Sequence, residues 1–182
     1  MNITETGIKD LLIIEPKIFD DPRGYFFESY NQNKFKEFQL NFDFIQDNQS
    51  KSSYGVVRGL HYQLEPYAQT KLIRVLQGKI LDVAVDIRKG SPTYGKHFPI
   101  ELSEDNKKQL LVPKGFAHGF SVLSEKAVVL YKCDNIYKPE AERGILYNDP
   151  DLIIDWKIND AIISKKDQYN PLLKDAENNF EM

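Results

Sequence analysis

Through the middle of the chain apolar and polar residues alternate with a period of two, the pattern of half-buried strands rather than helices. From Ile80 to Arg88, the residues Leu81, Val83, Val85 and Ile87 alternate with Asp82, Ala84, Asp86 and Arg88. The run Leu72 to Gln77 precedes it, separated by Gly78-Lys79, and the pair reads as a hairpin with a tight turn. Ala127 to Cys133 is a further strand, in which Ala127, Val129, Tyr131 and Cys133 share one side. Leu110 to Val112 and Gly119 to Leu123 flank a Pro-x-Gly turn, and Leu11 to Pro16, Gly24 to Ser29 and Phe44 to Ser50 are earlier strand candidates. Glu101-Leu102 leads into a turn, Ser103 to Asn106, with Ser103 as its cap.

Helical signal is sparse. Asn31 to Phe38 predicts one short helix with Phe35 and Phe38 as its apolar contacts. Ser164-Lys165-Lys166-Asp167 predicts another start, with Asp167 in the third position of a capping-box-like arrangement. Short strands at roughly 8–12-residue spacing imply an all-β closed barrel or double-sheet jelly roll with a few short peripheral helices. A parallel α/β fold needs crossover helices of a dozen residues, and the sequence has none. No repeat or linker divides the 182 residues, so one domain over 1–182 is expected.

Composition narrows the class. The chain is 41% hydrophobic and 28% charged, ordinary for a globular protein. A net charge of -3 argues against a general nucleic-acid or membrane-surface protein. The single cysteine, Cys133, allows no intrachain disulfide, and packing is its expected role. Met1 to Glu5 lacks the basic and apolar regions of a signal peptide, and no run approaches the ~18 apolar residues of a membrane span. A cytoplasmic protein is the expectation.

The chemistry centres on two histidines in strand contexts, His61 in Arg58-Gly59-Leu60-His61-Tyr62-Gln63 and His118 in Gly115-Phe116-Ala117-His118-Gly119-Phe120. A mononuclear metal site needs about three or four protein ligands. Gln63 stands where a second histidine would complete a metal pair beside His61, so no metal is expected and proton transfer is the favoured role. His61 is the best candidate base, because an unperturbed imidazole titrates near working pH. The bland alternative is a hydrogen-bonded structural histidine. Arg58 and His61, three apart, point to opposite faces of a regular strand. Either Gly59 marks a bulge that re-aims one of them, or Arg58 works from outside the barrel.

These strings, together with Phe19 to Glu28, Ser91-Pro92-Thr93-Tyr94-Gly95, Tyr131-Lys132-Cys133 and Asn148-Asp149-Pro150, resemble the dTDP-4-dehydrorhamnose 3,5-epimerase family in order and spacing from about Phe19 to Asp167. Tyr94 and Tyr147 stand where other aromatics are common in that family. The resemblance implies a cupin jelly roll, a homodimer, no cofactor, and epimerisation of a dTDP-linked 4-keto-6-deoxy sugar. It implies that His61 is the base, oriented by Asp167, that Tyr131 is the acid on the opposite face, and that Lys71 offsets enolate charge. His118 is implied to hydrogen-bond the sugar. Arg23, Glu28, Gln46, Asn48, Arg58 and Glu142 are implied to hold the nucleotide and diphosphate, with Lys166 as a further contact. Arginine suits phosphate through its planar fork. The N-terminal segment around Arg23 to Glu28 would reach a partner's site.

Four rivals share parts of this pattern. A single-site epimerase would use the same base, and a 3,4-ketoisomerase similar enediol chemistry. A non-catalytic sugar- or nucleotide-binding cupin would tolerate loss of His61 or Tyr131, and both are present. A metal-dependent dioxygenase would need the histidine that Gln63 replaces.

Overall fold

The computed structural model describes residues 1–182. In chain order the first strands are β1 (Asn2–Glu5), β2 (Leu12–Glu15), β3 (Ile18–Asp21), β4 (Gly24–Phe27), β5 (Gln46–Ser53), β6 (Val56–Gln63) and β7 (Lys71–Gln77). They continue with β8 (Lys79–Asp86), β9 (His97–Ser103), β10 (Gln109–Val112), β11 (Phe116–Val122), β12 (Lys126–Cys133), β13 (Glu142–Gly144) and β14 (Ile162–Ile163). The α-helices are α1 (Gln32–Glu37) and α2 (Lys165–Gln168). One sheet has the order β1-β2-β10-β7-β12-β5 and the other β13-β6-β11-β8-β9, with β14 added to β6. The β3–β4 ribbon stands apart from both. Two sheets facing each other, antiparallel except where β14 joins β6 in parallel, make the expected jelly roll.

Side chains from both sheets fill the space between them, with Ile73, Val75, Leu110 and Val129 meeting Ile80, Ala84, Leu102, Phe120 and Val122. A second apolar layer lies outside the second sheet, where Val57, Leu60, Val83 and Val85 are covered by Ile145, Leu152, Trp156 and Phe180. A third is smaller: Phe35 of α1 packs on Ile14, Leu72 and Leu111 outside the first sheet. Asn31 caps α1 by accepting from the backbone of Asn33 and Lys34. Phe38, expected to pack, ends the helix and is 47% exposed. Only one apolar side chain of so short a helix reaches the sheet.

Two other expectations change in three dimensions. The hairpin across Gly78 is not formed: β7 pairs with β10 and β12, whereas β8 pairs with β9 and β11. The chain turns a corner from one sheet to the other at Gly78 (φ 77), where a side chain would run into the Lys126 carbonyl. A tight turn between two strands carries the same residues whether the strands pair or face each other. The alternation in β8 is real, but its polar face is not outside. Leu81, Val83 and Val85 lie under the outer layer, and Asp82 and Ala84 point between the sheets, both fully buried. The strand β11 begins at Phe116, directly after the Pro-x-Gly turn and three residues before the predicted start at Gly119, and so carries His118 in its regular part.

Candidate active site

The two histidines are direct register partners, His118 on β11 and His61 on β6. Beyond them three residues of β6, ending at Arg58, oppose two of β11, ending at Phe120. This is a β-bulge, and Gly59 (φ 120) makes it. A Cβ on Gly59 would lie 2.5 Å from the Gly119 Cα and 2.7 Å from the His118 carbonyl oxygen. A Cβ on Gly119 would lie 2.6 Å from the Arg58 carbonyl oxygen. Two glycines are therefore required where the backbones meet. Of the two alternatives for Arg58 the bulge holds, and both Arg58 and His61 line one cavity between the sheets.

That cavity has two lobes, of about 390 and 300 Å³, which share His61, Lys71 and Tyr131. The larger adds Arg58, His118, Lys166 and Asp167, with apolar walls from Val56, Phe120, Ile162 and Ile163. The smaller is polar, adding Gln46, Asn48, Gln63, Gln69, Tyr137 and Glu142. Register explains the convergence on the first sheet. Tyr131 is paired with Asn48 on one side and Ile73 on the other, and Cys133 with Lys71. The period of two then turns Lys71, Asn48 and Tyr131 inward together, with the Lys71 ammonium 6.0 Å from the Tyr131 ring centre.

His61 Nε2 lies 2.6 Å from Asp167 Oδ1, and Asp167 Oδ2 accepts from the Gly59 amide at 3.4 Å. Ser164 caps α2 by accepting from the Asp167 amide at 3.1 Å, as expected. The Asp167 carboxylate does not reach back to the cap; it turns to His61, 106 positions away. Burial by itself would raise the pKa of Asp167, but the bonds from His61, Gly59 and the cap outweigh it and hold the carboxyl below its usual range. A second pair lies beside the first: His118 Nε2 sits 2.9 and 3.0 Å from the two oxygens of fully buried Asp82.

The opposite wall is tuned by burial. It pushes the Tyr131 phenol up, with Cys133 and Glu142 adding to the shift and Arg58 opposing it. It pushes the Lys71 ammonium down, against the pull of Cys133, Glu142 and Asp82. Lys71 is half-buried, yet protein surrounds it closely enough for desolvation to lead. Cys133 is fully buried, its thiol pushed up to about 11 by burial, and it accepts from Asn48 Nδ2 at 3.7 Å.

The remaining predicted residues divide. Gln46 and Asn48 bond each other at 3.0 Å on the inner face of β5. Glu142 Oε2 accepts from Tyr137 Oη at 2.6 Å and pairs with Lys166, and these bonds keep the carboxyl ionised against its burial. Arg58 donates from Nε to Ser52 Oγ at 3.0 Å. Arg23 and Glu28 are not brought to this cavity. Arg23 pairs with Asp21 in the turn of the β3–β4 ribbon, and Glu28 pairs with Lys34 at 2.8 Å and accepts from Asn31 at 3.0 Å. Asp82, Ser52, Gln69 and Tyr137 join the site without having been predicted. None left a signal of its own: Asp82 follows the same alternation that a solvent-facing carboxylate would.

No three His, Cys, Asp or Glu side chains converge on one point. No helix is long and apolar enough to cross a membrane. A histidine–carboxylate pair on one wall, with a phenol and a lysine on the other, is equipment for moving a proton and holding the negative charge left behind. Fold and site define a cupin-type jelly roll built for acid–base chemistry inside its barrel.

The comparisons specify which. The family described as dTDP-4-dehydrorhamnose 3,5-epimerase matches residues 5–175. The enzyme of that name from Shigella flexneri is 52% identical over 178 residues, 97% of this chain and 98% of its own. The crystal structure of the Elizabethkingia anophelis NUHP1 enzyme superposes with a TM-score of 0.92 at 56% identity, covering 96% of this chain and 97% of that one. The structure of dTDP-6-deoxy-D-glucose-3,5-epimerase from Legionella pneumophila Philadelphia 1, solved with dTDP-4-keto-L-rhamnose, gives 0.92 at 50% identity, covering 95% and 93%. The chain belongs to the dTDP-4-dehydrorhamnose 3,5-epimerase family and is an epimerase.

Proposed function

We propose that this protein converts dTDP-4-dehydro-6-deoxy-D-glucose to dTDP-4-dehydro-L-rhamnose by inverting C3 and C5. The observation that carries this reading is the placement of His61 on one sheet, paired with Asp167 of α2, and of Tyr131 with Lys71 on the other sheet, all lining one cavity. The C3 and C5 hydrogens are both alpha to the C4 ketone. His61 takes one of them as a proton, and the electron pair of the broken C–H bond moves onto the C4 oxygen as an enolate. Asp167 stabilises the imidazolium that forms. Lys71 and His118 lie where they can offset the enolate charge. Tyr131 returns a proton to the opposite face, which inverts the carbon, and the carbonyl re-forms. His61 and the phenolate then exchange protons with solvent before the second carbon reacts.

Arg58 and Lys166, at the apolar-walled lobe, suit the diphosphate and nucleoside, and Gln46, Asn48 and Glu142 suit hydroxyl and amide edges. The working unit is a homodimer in which the β3–β4 ribbon carries Arg23 and Glu28 into a second copy's cavity. Support comes from neither residue lining its own cavity and from Phe19, Tyr25 and Phe26 standing 53%, 56% and 70% exposed on that ribbon. A cytoplasmic setting is consistent with a free buried cysteine.

The test is proton NMR of the substrate incubated with metal-stripped protein in D2O. Deuterium at both C3 and C5, with the product trapped by a reductase, is the expected result. Exchange at one carbon only would indicate a single-site epimerase, and a migrated ketone an isomerase. His61→Ala is expected to lose roughly 10²–10⁴-fold in turnover with dTDP binding kept.

A further inference from the structure

A small crevice adjoins the polar lobe. Tyr62, Gln63, Gln69 and Lys71 line both this lobe and the crevice, which holds about 10 Å³, a space about one water molecule wide. Phe116 and Phe180 supply its aromatic lining. Phe180 comes from a segment in no sheet, yet that segment is fastened repeatedly. The Tyr62 hydroxyl donates to the Glu177 carbonyl, and Arg143 pairs with the Glu177 carboxylate at 2.6 Å. Asn179 accepts from the Glu65 amide and donates to its carbonyl, both at 3.1 Å. Asn178 donates to the Ile87 carbonyl, and the Phe180 carbonyl accepts from the Lys89 amide at 3.0 Å. The Phe180 ring is 7% exposed and meets Tyr62 edge to face at 6.3 Å. It also covers Gly115 (φ 82), where a Cβ would lie 3.6 Å from the ring.

We propose that Phe180 is the stopper of the barrel's second end, a positioning residue that bars water from reaching Lys71 from behind. The inference rests on the role given to Lys71 above. With the far end closed, the ammonium meets solvent only through the mouth that substrate fills, so its charge acts on the bound sugar in a site free of competing water. Lys71 is faced by Tyr131 and Cys133 of β12, Arg58, His61 and Tyr62 of β6, Asp82 of β8, His118 of β11, Lys166 and Asp167 of α2, Glu142 of β13 and Tyr137 of the preceding loop. A change at Phe180 removes none of them. Burial leads the downward push on Lys71, so admitting water from behind moves its titration up.

The experiment follows Lys71 by NMR in protein labelled at the lysine ε-carbon, in the wild type, Phe180→Ala and Phe180→Leu. The Lys71 titration is expected to rise by about one pH unit or more in Phe180→Ala and to stay near the wild type in Phe180→Leu, which still fills the crevice. Turnover of the dTDP-sugar should fall in the alanine variant with KM little changed and recover with leucine. An unchanged Lys71 titration in folded Phe180→Ala, or equal effects of alanine and leucine, would overturn the proposal. If the alanine variant does not fold, Phe180→Val carries the same comparison. Should the wild type fail to turn over the sugar, the reading of the site falls, while the Lys71 titration still decides the stopper.

Discussion

Replacing Asp167 by asparagine keeps the shape of the side chain and removes its charge. Its Oδ1 lies 2.6 Å from His61 Nε2, and the residue is 3% exposed, so salt and solvent screen the pair little. A hydrogen bond to a charged group is worth roughly 1.5–3 kcal/mol. If that stabilisation appears in full only when His61 holds the abstracted proton, its loss raises the barrier by the same amount. At about 1.4 kcal/mol per factor of ten, kcat falls roughly 10- to 150-fold with KM little changed. A second consequence follows from linkage. The folded pKa of Asp167 is held below its ordinary value, so the group contributes stability that is present above the unfolded value of about 3.9 and lost as pH falls through the folded one. Asp167→Asn is therefore expected to melt lower than the wild type at pH 7, with the gap closing in acid. Deuterium incorporation rates and melting curves from pH 7 to pH 3 measure both. Unchanged kcat, or a gap in Tm that persists in acid, would refute the pairing argument.

Three further perturbations test the rest of the site. Tyr131→Phe should let solvent deuterium exchange at C3 and C5 continue while slowing inversion, and unimpaired inversion would remove Tyr131 from the acid role. Lys71→Met should lose most turnover yet raise Tm at pH 7, because burial makes the folded protein hold the Lys71 proton less tightly than the unfolded chain does; a lower Tm would contradict this. Gly119→Ala, which sets a Cβ 2.6 Å from the Arg58 carbonyl, should cost about 1–3 kcal/mol and about 2–4 °C of Tm per kcal/mol. Its circular-dichroism melt matching the wild type would show that the two strands can part there.

Local chemistry was legible in the chain because it is set by neighbours in sequence. The period of two in β8, the helix start at Ser164, and the glycine-bracketed histidines each follow from residues a few positions apart, and the all-β class follows from the many short strands. The motifs named the family for the same reason. Pairing across long separations was not legible, since nothing local distinguishes a strand's partners. The Gly78 turn looks alike whether β7 and β8 pair or face each other, and only the pairing of β7 with β10 and β12 makes it a corner. Asp82 looks like a solvent-facing carboxylate until both sides of β8 are covered and His118 meets it. Asp167 fits a helix start, and its carboxylate finds His61 only because β14 docks beside β6 and places α2 there. Arg58 reaches the cavity through a bulge that depends on Gly119 of a neighbouring strand. The sequence supplied the reacting groups and the strands that hold them; the two-sheet packing decided which of those groups share a cavity, because burial and register join residues that the chain keeps a hundred positions apart.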